Sequence, residues 1–236
     1  MRMFTRLLVL AALLAPASSA VAQNGAVAYL ALIATPTGGV PTAAKQWMLS
    51  EPRPGIGADV QWGHVSGVGA SFNTITGGVT IPIAGGHGDV GLTAGIFKPS
   101  CDGGSCPANF TAGAVVEGRV LQSEMGHSTF TIGLSGRLGF AKPSGGTLWS
   151  ASAGVPLSIA LGNRQGVQLV PFVTPGVGWG RASGDGDAAS GFRPMIGGGL
   201  GVLSASSGLG FNLGVQKVLI DGGKPVFGAG FTWSAR

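Results

Sequence analysis

The chain has 236 residues, with 14 Lys and Arg against 9 Asp and Glu, only 10% charged residues and a mean hydropathy of +0.40. A soluble domain ordinarily carries about 25% charged residues, so an exterior facing water on all sides is disfavoured. The weak positive charge contains no Lys/Arg cluster, which excludes the electrostatic footprint of a nucleic-acid binder.

Residues 1–22 read as a cleaved secretory signal peptide. Arg2 and Arg6 form a basic start, Leu7 to Leu14 an apolar run, and Ala20-Val21-Ala22 a small-x-small site before Gln23. That run is too short for a spanning helix, and no later stretch reaches the roughly 18 apolar residues one needs. Without the signal, 236 − 22 = 214 residues remain, with 12 basic groups against 9 acidic ones. An exported apolar chain that lacks a spanning helix must pair every backbone amide within lipid, so its sheet has to close on itself. The 45 glycines are spread through the apolar stretches and argue against helices.

Residues 23–55 are weakly patterned: Ala26 to Ala34 could form an extra strand, and a Pro-rich stretch with Trp47 follows. The segment reads as a leader, a plug or a further strand, and residues 56–236 as the barrel. Ten strands are expected, at 56–66, 68–83, 88–98, 110–121, 128–140, 148–162, 166–182, 191–204, 208–219 and 224–234. The clearest is 128–140, where Phe130, Ile132, Leu134, Leu138 and Phe140 share one parity and Thr129, Thr131, Ser135 and Arg137 the other. This period of two gives one greasy and one polar face. Trp149 to Leu161, Leu209 to Val215 and Phe227 to Trp233 repeat it on odd parity.

In 68–83 the apolar parity switches from Val68, Ala70 and Phe72 to Ile75, Val79 and Ile81, which predicts a β-bulge near Asn73. Reading it as two short strands, with 23–55 pairing as well, would raise the count to twelve. With both ends periplasmic, the longest outer loops fall around Cys101 and Asp185. Pro82, Pro156, Pro171, Pro175, Pro194 and Pro225 conflict with unbroken ladders and require bulges or strand ends.

The chain resembles the outer-membrane β-barrel domain family of small porin-like or surface-protein barrels. The resemblance rests on Ala20-Val21-Ala22, on Thr35-Pro36-Thr37-Gly38-Gly39, and on residues 171–180 (Pro171-Phe172-Val173-Thr174-Pro175-Gly176-Val177-Gly178-Trp179-Gly180) with the closing Gly-rich hairpins. It implies an all-β, up-and-down transmembrane barrel in the outer membrane, reached through the barrel insertion machinery. It transfers no single activity. Many such barrels end on an aromatic residue, whereas here Trp233 is followed by Ser234, Ala235 and Arg236.

Candidate residues fall into four groups. Cys101 and Cys106, the two cysteines, read as a disulfide that shapes an outer loop; a zinc site would need ligands that do not lie nearby. Asp59, Glu117, Arg119, Arg137 and Arg193 take lumen parity, as a structural ion-pair network or as the lining of a small-solute or ion path. Phe97, Phe110, Phe140, Trp149, Trp179 and Phe192 lie within four residues of an outer loop and are expected to form an aromatic girdle. His64, His87 and His127 sit near separate turns, Asp185-Gly186-Asp187 offers too few ligands for calcium, and Lys217 has lipid parity near a rim.

No catalytic site, metal or cofactor is expected, and the partners are outer-membrane lipid and, for a pore, small solutes. Three readings follow: a structural or surface-exposed barrel, a narrow passive pore, and a secreted soluble β-sandwich.

Overall fold

The structure, a computed structural model, describes residues 25–35, 43–51, 55–65, 71–100, 106–143, 145–184 and 187–235. Its wall contains β1 (Gly57–Val65), β2 (Phe72–Ile83), β3 (Gly88–Pro99), β4 (Asn109–Met125), β5 (Ser128–Lys142), β6 (Thr147–Gly154), β7 (Leu157–Gly162), β8 (Val167–Gly184), β9 (Asp187–Ser204), β10 (Leu209–Val218) and β11 (Val226–Ser234). β6 and β7 are halves of one strand, since both pair with β5 on one side and β8 on the other. Ten antiparallel strands therefore follow one another round the wall. β1 pairs β11 from Gly57 opposite Ser234 to Val65 opposite Val226, and the ring is shut.

This closure removes the soluble sandwich. The Phe130–Phe140 row lies on the outside of a single wall, and among the described residues no second sheet covers it. Outward side chains are apolar and exposed, Leu92 at 71% and Leu138 at 60%. Inward positions of the same strands carry Thr76, Thr111, Thr131, Ser150, Thr174 and Asn212, all buried. One end, the turn rim, holds the short connections 84–87, 126–127, 163–166 and 205–208. The other, the loop rim, holds the connections after β1, β3, β5, β8 and β10.

Several expectations need correction. No bulge occurs at Asn73, because β2 keeps its register with β1 and β3 from Phe72 onward. Phe72 points inward instead, against an apolar filling of the lumen that local parity does not reveal. The wall's register shift lies between Arg119 and Leu121, where Val120 is the extra residue and turns Gln122 to the lumen. The long loop expected around Asp185 shrinks, since β8 and β9 stay paired up to Gly184 opposite Asp187.

The prolines lie where ladders end or skip. Pro156 sits in the break between β6 and β7, and its carbonyl accepts from Gly133 N at 2.8 Å. Pro175 turns its amide side to that break, where its carbonyl accepts from Val155 N at 2.9 Å. Pro171 faces the skipped rungs between Ser158 opposite Phe172 and Leu161 opposite Leu169. Pro194 lies just past the last β9–β10 rung, Met195 opposite Val218. A closed wall thus accommodates these four prolines by placing their missing donors at discontinuities.

Residues 25–34 form a helix, α1 (Gly25–Ala34), rather than the extra strand that Ala26 to Ala34 allowed. A closed wall offers no free ladder edge, and inside the lumen a helix satisfies its own amides. No helix among the described residues is long and apolar enough to cross a membrane. α1 packs within the barrel on β8, β9, β6 and β5. Tyr29, Leu32 and Ile33 join Val65, Phe72, Met195 and Val218 near the loop rim. Ala44, Trp47, Met48 and Leu49 join Ala160, Val170, Phe172 and Leu203 towards the turn rim.

Glycines on the inner wall make room for this filling. A β-carbon at Gly178 would come within 2.5 Å of Leu32 Cδ2, and one at Gly133 within 2.6 Å of the Trp47 ring. Neither space can shrink without displacing a fully buried side chain. Gly133→Val and Gly178→Val are therefore expected to push the segment out of the lumen while the wall still closes. Trypsin cleavage after Lys45 in the detergent-folded protein should rise sharply in both variants, and unchanged protection would contradict the packing described.

Candidate functional site

The lumen is sealed at the turn rim by polar contacts to the chain that descends through it. Ala44 N donates to Asn212 Oδ1 at 2.9 Å, and Gln46 Nε2 donates to Gly208 O at 3.3 Å. Gln122 Nε2 donates to Leu49 O at 3.1 Å, while Thr129 Oγ1 donates to Ser50 Oγ at 2.8 Å. Ser50 N donates to Gln168 Oε1 at 3.2 Å, and Gln168 Nε2 donates to Arg164 O at 2.9 Å. Near the loop rim Thr35 Oγ1 donates to Ala31 O at 2.9 Å and lies 2.7 Å from Ser150 Oγ.

Between these ends lies the charged centre. Lys45 Nζ is 3.1 Å from Asp59 Oδ2 and 3.6 Å from Glu117 Oε1. Arg137 Nη2 donates to Glu117 Oε2 at 3.0 Å. The Glu117 side chain is fully buried, and those of Lys45, Asp59 and Arg137 are each about nine-tenths buried. The wall places the two acids and the arginine by register: Glu117 stands opposite Asp89 on β3 and Ser135 on β5, two residues from Arg137. Two cations thus meet these two carboxylates, with Asp89 a third acid opposite Glu117, in a space shielded from water, where an unpaired charge costs several kcal/mol.

Of the residues expected in the lumen, Asp59, Glu117 and Arg137 converge here. Arg119 does not. It turns to the turn rim, where Nε donates to His87 Nδ1 at 2.6 Å and the guanidinium contacts Gln122 Oε1. Arg193 has lumen parity but lies towards the loop rim, opposite Gly178, and its Nη1 donates to Phe192 O at 2.8 Å. Lys45, which completes the centre, was missed. No local pattern marks it, and its partners lie 14 and 72 residues further along the chain.

The aromatic set also divides. Phe110, Phe140, Trp149, Trp179 and Phe192 point outward towards the loop rim, with Phe140 opposite Trp149 and Trp179 opposite Phe192 on neighbouring strands. Phe140 and Trp149 have ring centroids 4.7 Å apart. Phe97 is a correction: it faces the lumen, is 5% exposed and meets Phe72 edge-on at 6.5 Å. An apolar plug needs apolar neighbours, so lumen parity here does not mean polar. Phe130, Phe211, Phe231 and Trp233 point outward nearer the turn rim, with Phe211 and Phe231 5.2 Å apart.

The remaining candidates stay dispersed. Cys106 is disulfide-bonded, and Cys101 lies outside the described residues. Asp185 and Gly186 also lie outside them. His64 is an outward residue near the loop rim, hydrogen-bonded to Asn73 Oδ1 at 2.9 Å and stacked on Trp62. His87 and His127 belong to separate turn-rim hairpins. Among the described residues no group of three or more His, Cys, Asp or Glu could hold a metal ion. Lys217 points outward one residue from the end of β10.

The centre should be energetically decisive. Glu117→Gln removes the buried carboxylate that Arg137 and Lys45 share and leaves Arg137 without its ion-pair partner, which is expected to cost about 3–5 kcal/mol. Urea unfolding of the detergent-folded variant measures it, and a loss below about 1 kcal/mol would contradict the burial described.

No family description and no curated protein matches the sequence. Solved structures with similar folds include LpxR from Salmonella typhimurium, at 11% identity and a TM-score of 0.44 over 78% of this chain and 86% of that one. The beta domain of the Bordetella autotransporter BrkA gives 13% identity and 0.46 over 78% and 100%. Ail, the attachment invasion locus protein of Yersinia pestis, gives 13% identity and 0.32 over 76% and 96%. On its own geometry, the chain is a closed, ten-stranded, up-and-down antiparallel β-barrel of the outer-membrane type.

Proposed function

We propose that this chain is exported by means of residues 1–22, inserted into the outer membrane by the barrel insertion machinery, and acts there as a closed structural or surface-exposed barrel without catalysis. The carrying observation is a wall that is apolar outside while its lumen is filled by residues 29–35 and 43–49 of the same chain.

The dimensions support a membrane setting. Phe130 and Phe140 mark the two aromatic levels on β5, ten residues apart. At roughly 3.3 Å per residue that is about 33 Å along the strand. With a tilt of about 40° it becomes about 25 Å along the barrel axis, the height of an outer-membrane apolar band. The outward aromatics at both levels then act as girdles at the lipid–water boundaries.

An open passive pore has less support, because α1 and residues 43–51 occupy the lumen. Fractionation followed by gel migration of unheated and boiled samples tests the reading. A membrane band that shifts on boiling is expected, together with no discrete channels from the purified protein in planar bilayers. Recovery in solution after osmotic release, without detergent, would overturn it.

A further inference from the structure

The plug does not fill the lumen evenly. α1 leans on β5, β6, β8 and β9, and the opposite side of the lumen, along β1, β2 and β11, keeps two cavities on either side of the charged centre. The upper one, about 70 Å³, is bounded by Gln61, Thr74, Thr76, Gln216 and Arg137 among others. The lower one, about 30 Å³, is bounded by Asp59, Asp89, Thr80, Thr232 and Lys45. Each exceeds the roughly 10–15 Å³ that a water molecule requires. Each offers polar side chains that can replace part of a hydration shell, beside apolar ones such as Leu32, Ile33 and Val226 in the upper, and Thr232, 8% exposed, presents to the lower one an Oγ1 without a protein partner.

We propose that the Lys45 ammonium is a tethered cation seated at the constriction of a cation passage along β1, β2 and β11, and that withdrawing it opens that passage to small monovalent cations. This rests on the barrel reading above. Lys45 Nζ, between Asp59 and Glu117, lines the lower cavity, and Arg137, which shares Glu117 with it, lines the upper. With it in place Lys45 and Arg137 stand against Asp59, Glu117 and the neighbouring Asp89, and the ammonium occupies the seat that a free cation would take. With it removed, Asp59, Asp89 and Glu117 face the single charge of Arg137. A narrow site with excess carboxylate favours cations over anions. The chemistry of the occupant follows from the group already there: a monovalent cation bound by carboxylate and hydroxyl oxygens.

The full-length protein in planar bilayers tests this. Lys45→Ala and Lys45→Met, the second of which keeps the side-chain volume, should each turn a silent barrel into a small channel with a several-fold preference for potassium over chloride. Lys45→Arg, which restores the charge, should stay silent. Adding Asp59→Asn and Asp89→Asn to Lys45→Ala should remove the preference. A Lys45→Ala or Lys45→Met barrel that shifts on boiling yet stays silent would overturn the inference and leave the barrel reading intact. Chloride-selective openings, or a preference indifferent to Asp59 and Asp89, would overturn it too. So would failure of both Lys45 variants to fold, which would make Lys45 a fold determinant rather than a stopper.

Discussion

The rungs between β1 and β11 are what the rest of the structure depends on. They pair the first strand of the wall with the last, from Gly57 and Ser234 to Val65 and Val226. Left open, both strands would present rows of amides to hydrocarbon, where each unpaired group costs several kcal/mol. Closed, they leave outward side chains as the only groups lipid meets. The register also fixes what faces inward at each height. That is how Asp59 on β1, Glu117 on β4 and Arg137 on β5 come to share one level of the lumen.

A ten-stranded ring encloses more space than its own inward Thr, Ser and Gly side chains fill. The chain answers this with its own N-terminal segment. Trp47, Leu32, Met48 and Leu49 are fully buried there, each contributing on the order of 1.5–3 kcal/mol by removal from water. Ordering the segment opposes this by about 1–2 kcal/mol per residue. Close approach to Gly133 and Gly178 on the inner wall is therefore more than incidental, because contact area decides the balance. Phe72 and Phe97 belong to the same device: they are wall residues that behave as core.

Ion pairing adds position to that apolar filling. Lys45 reaches two carboxylates from strands that are not neighbours, so its hold depends on the plug standing at one height and rotation. The polar seal at the turn rim, through Gln46, Ser50, Gln122 and Gln168, agrees with that placement. Because the plug leans to one side, the charged centre also borders the space that remains, with Arg137 on one cavity and Lys45 and Asp59 on the other. A structural lock and a stopper are thus the same atoms viewed from the wall and from the cavities.

How much could be read in advance follows from which contacts are local. The strands at 128–140, 149–161, 209–215 and 227–233 were legible because lipid on one side and a polar lumen on the other impose a period of two on consecutive residues. The break at Val155 and Pro156 was signalled by the proline alone, since it spans two residues and preserves parity. The bulge at Val120 lies where apolar Leu121 and polar Gln122 follow in an order that parity alone reads ambiguously. Phe97 and Phe72 were misread because alternation reports which face a side chain takes, not what waits on that face. Sequence by itself determined the outside of this protein: the alternating strands and the apolar band, with about ten strands expected and twelve left open. Only the tertiary structure decided the inside, because the helix in the lumen, Lys45 between Asp59 and Glu117, and the glycine spaces beneath Trp47 and Leu32 join residues whose separation along the chain carries no periodic signal.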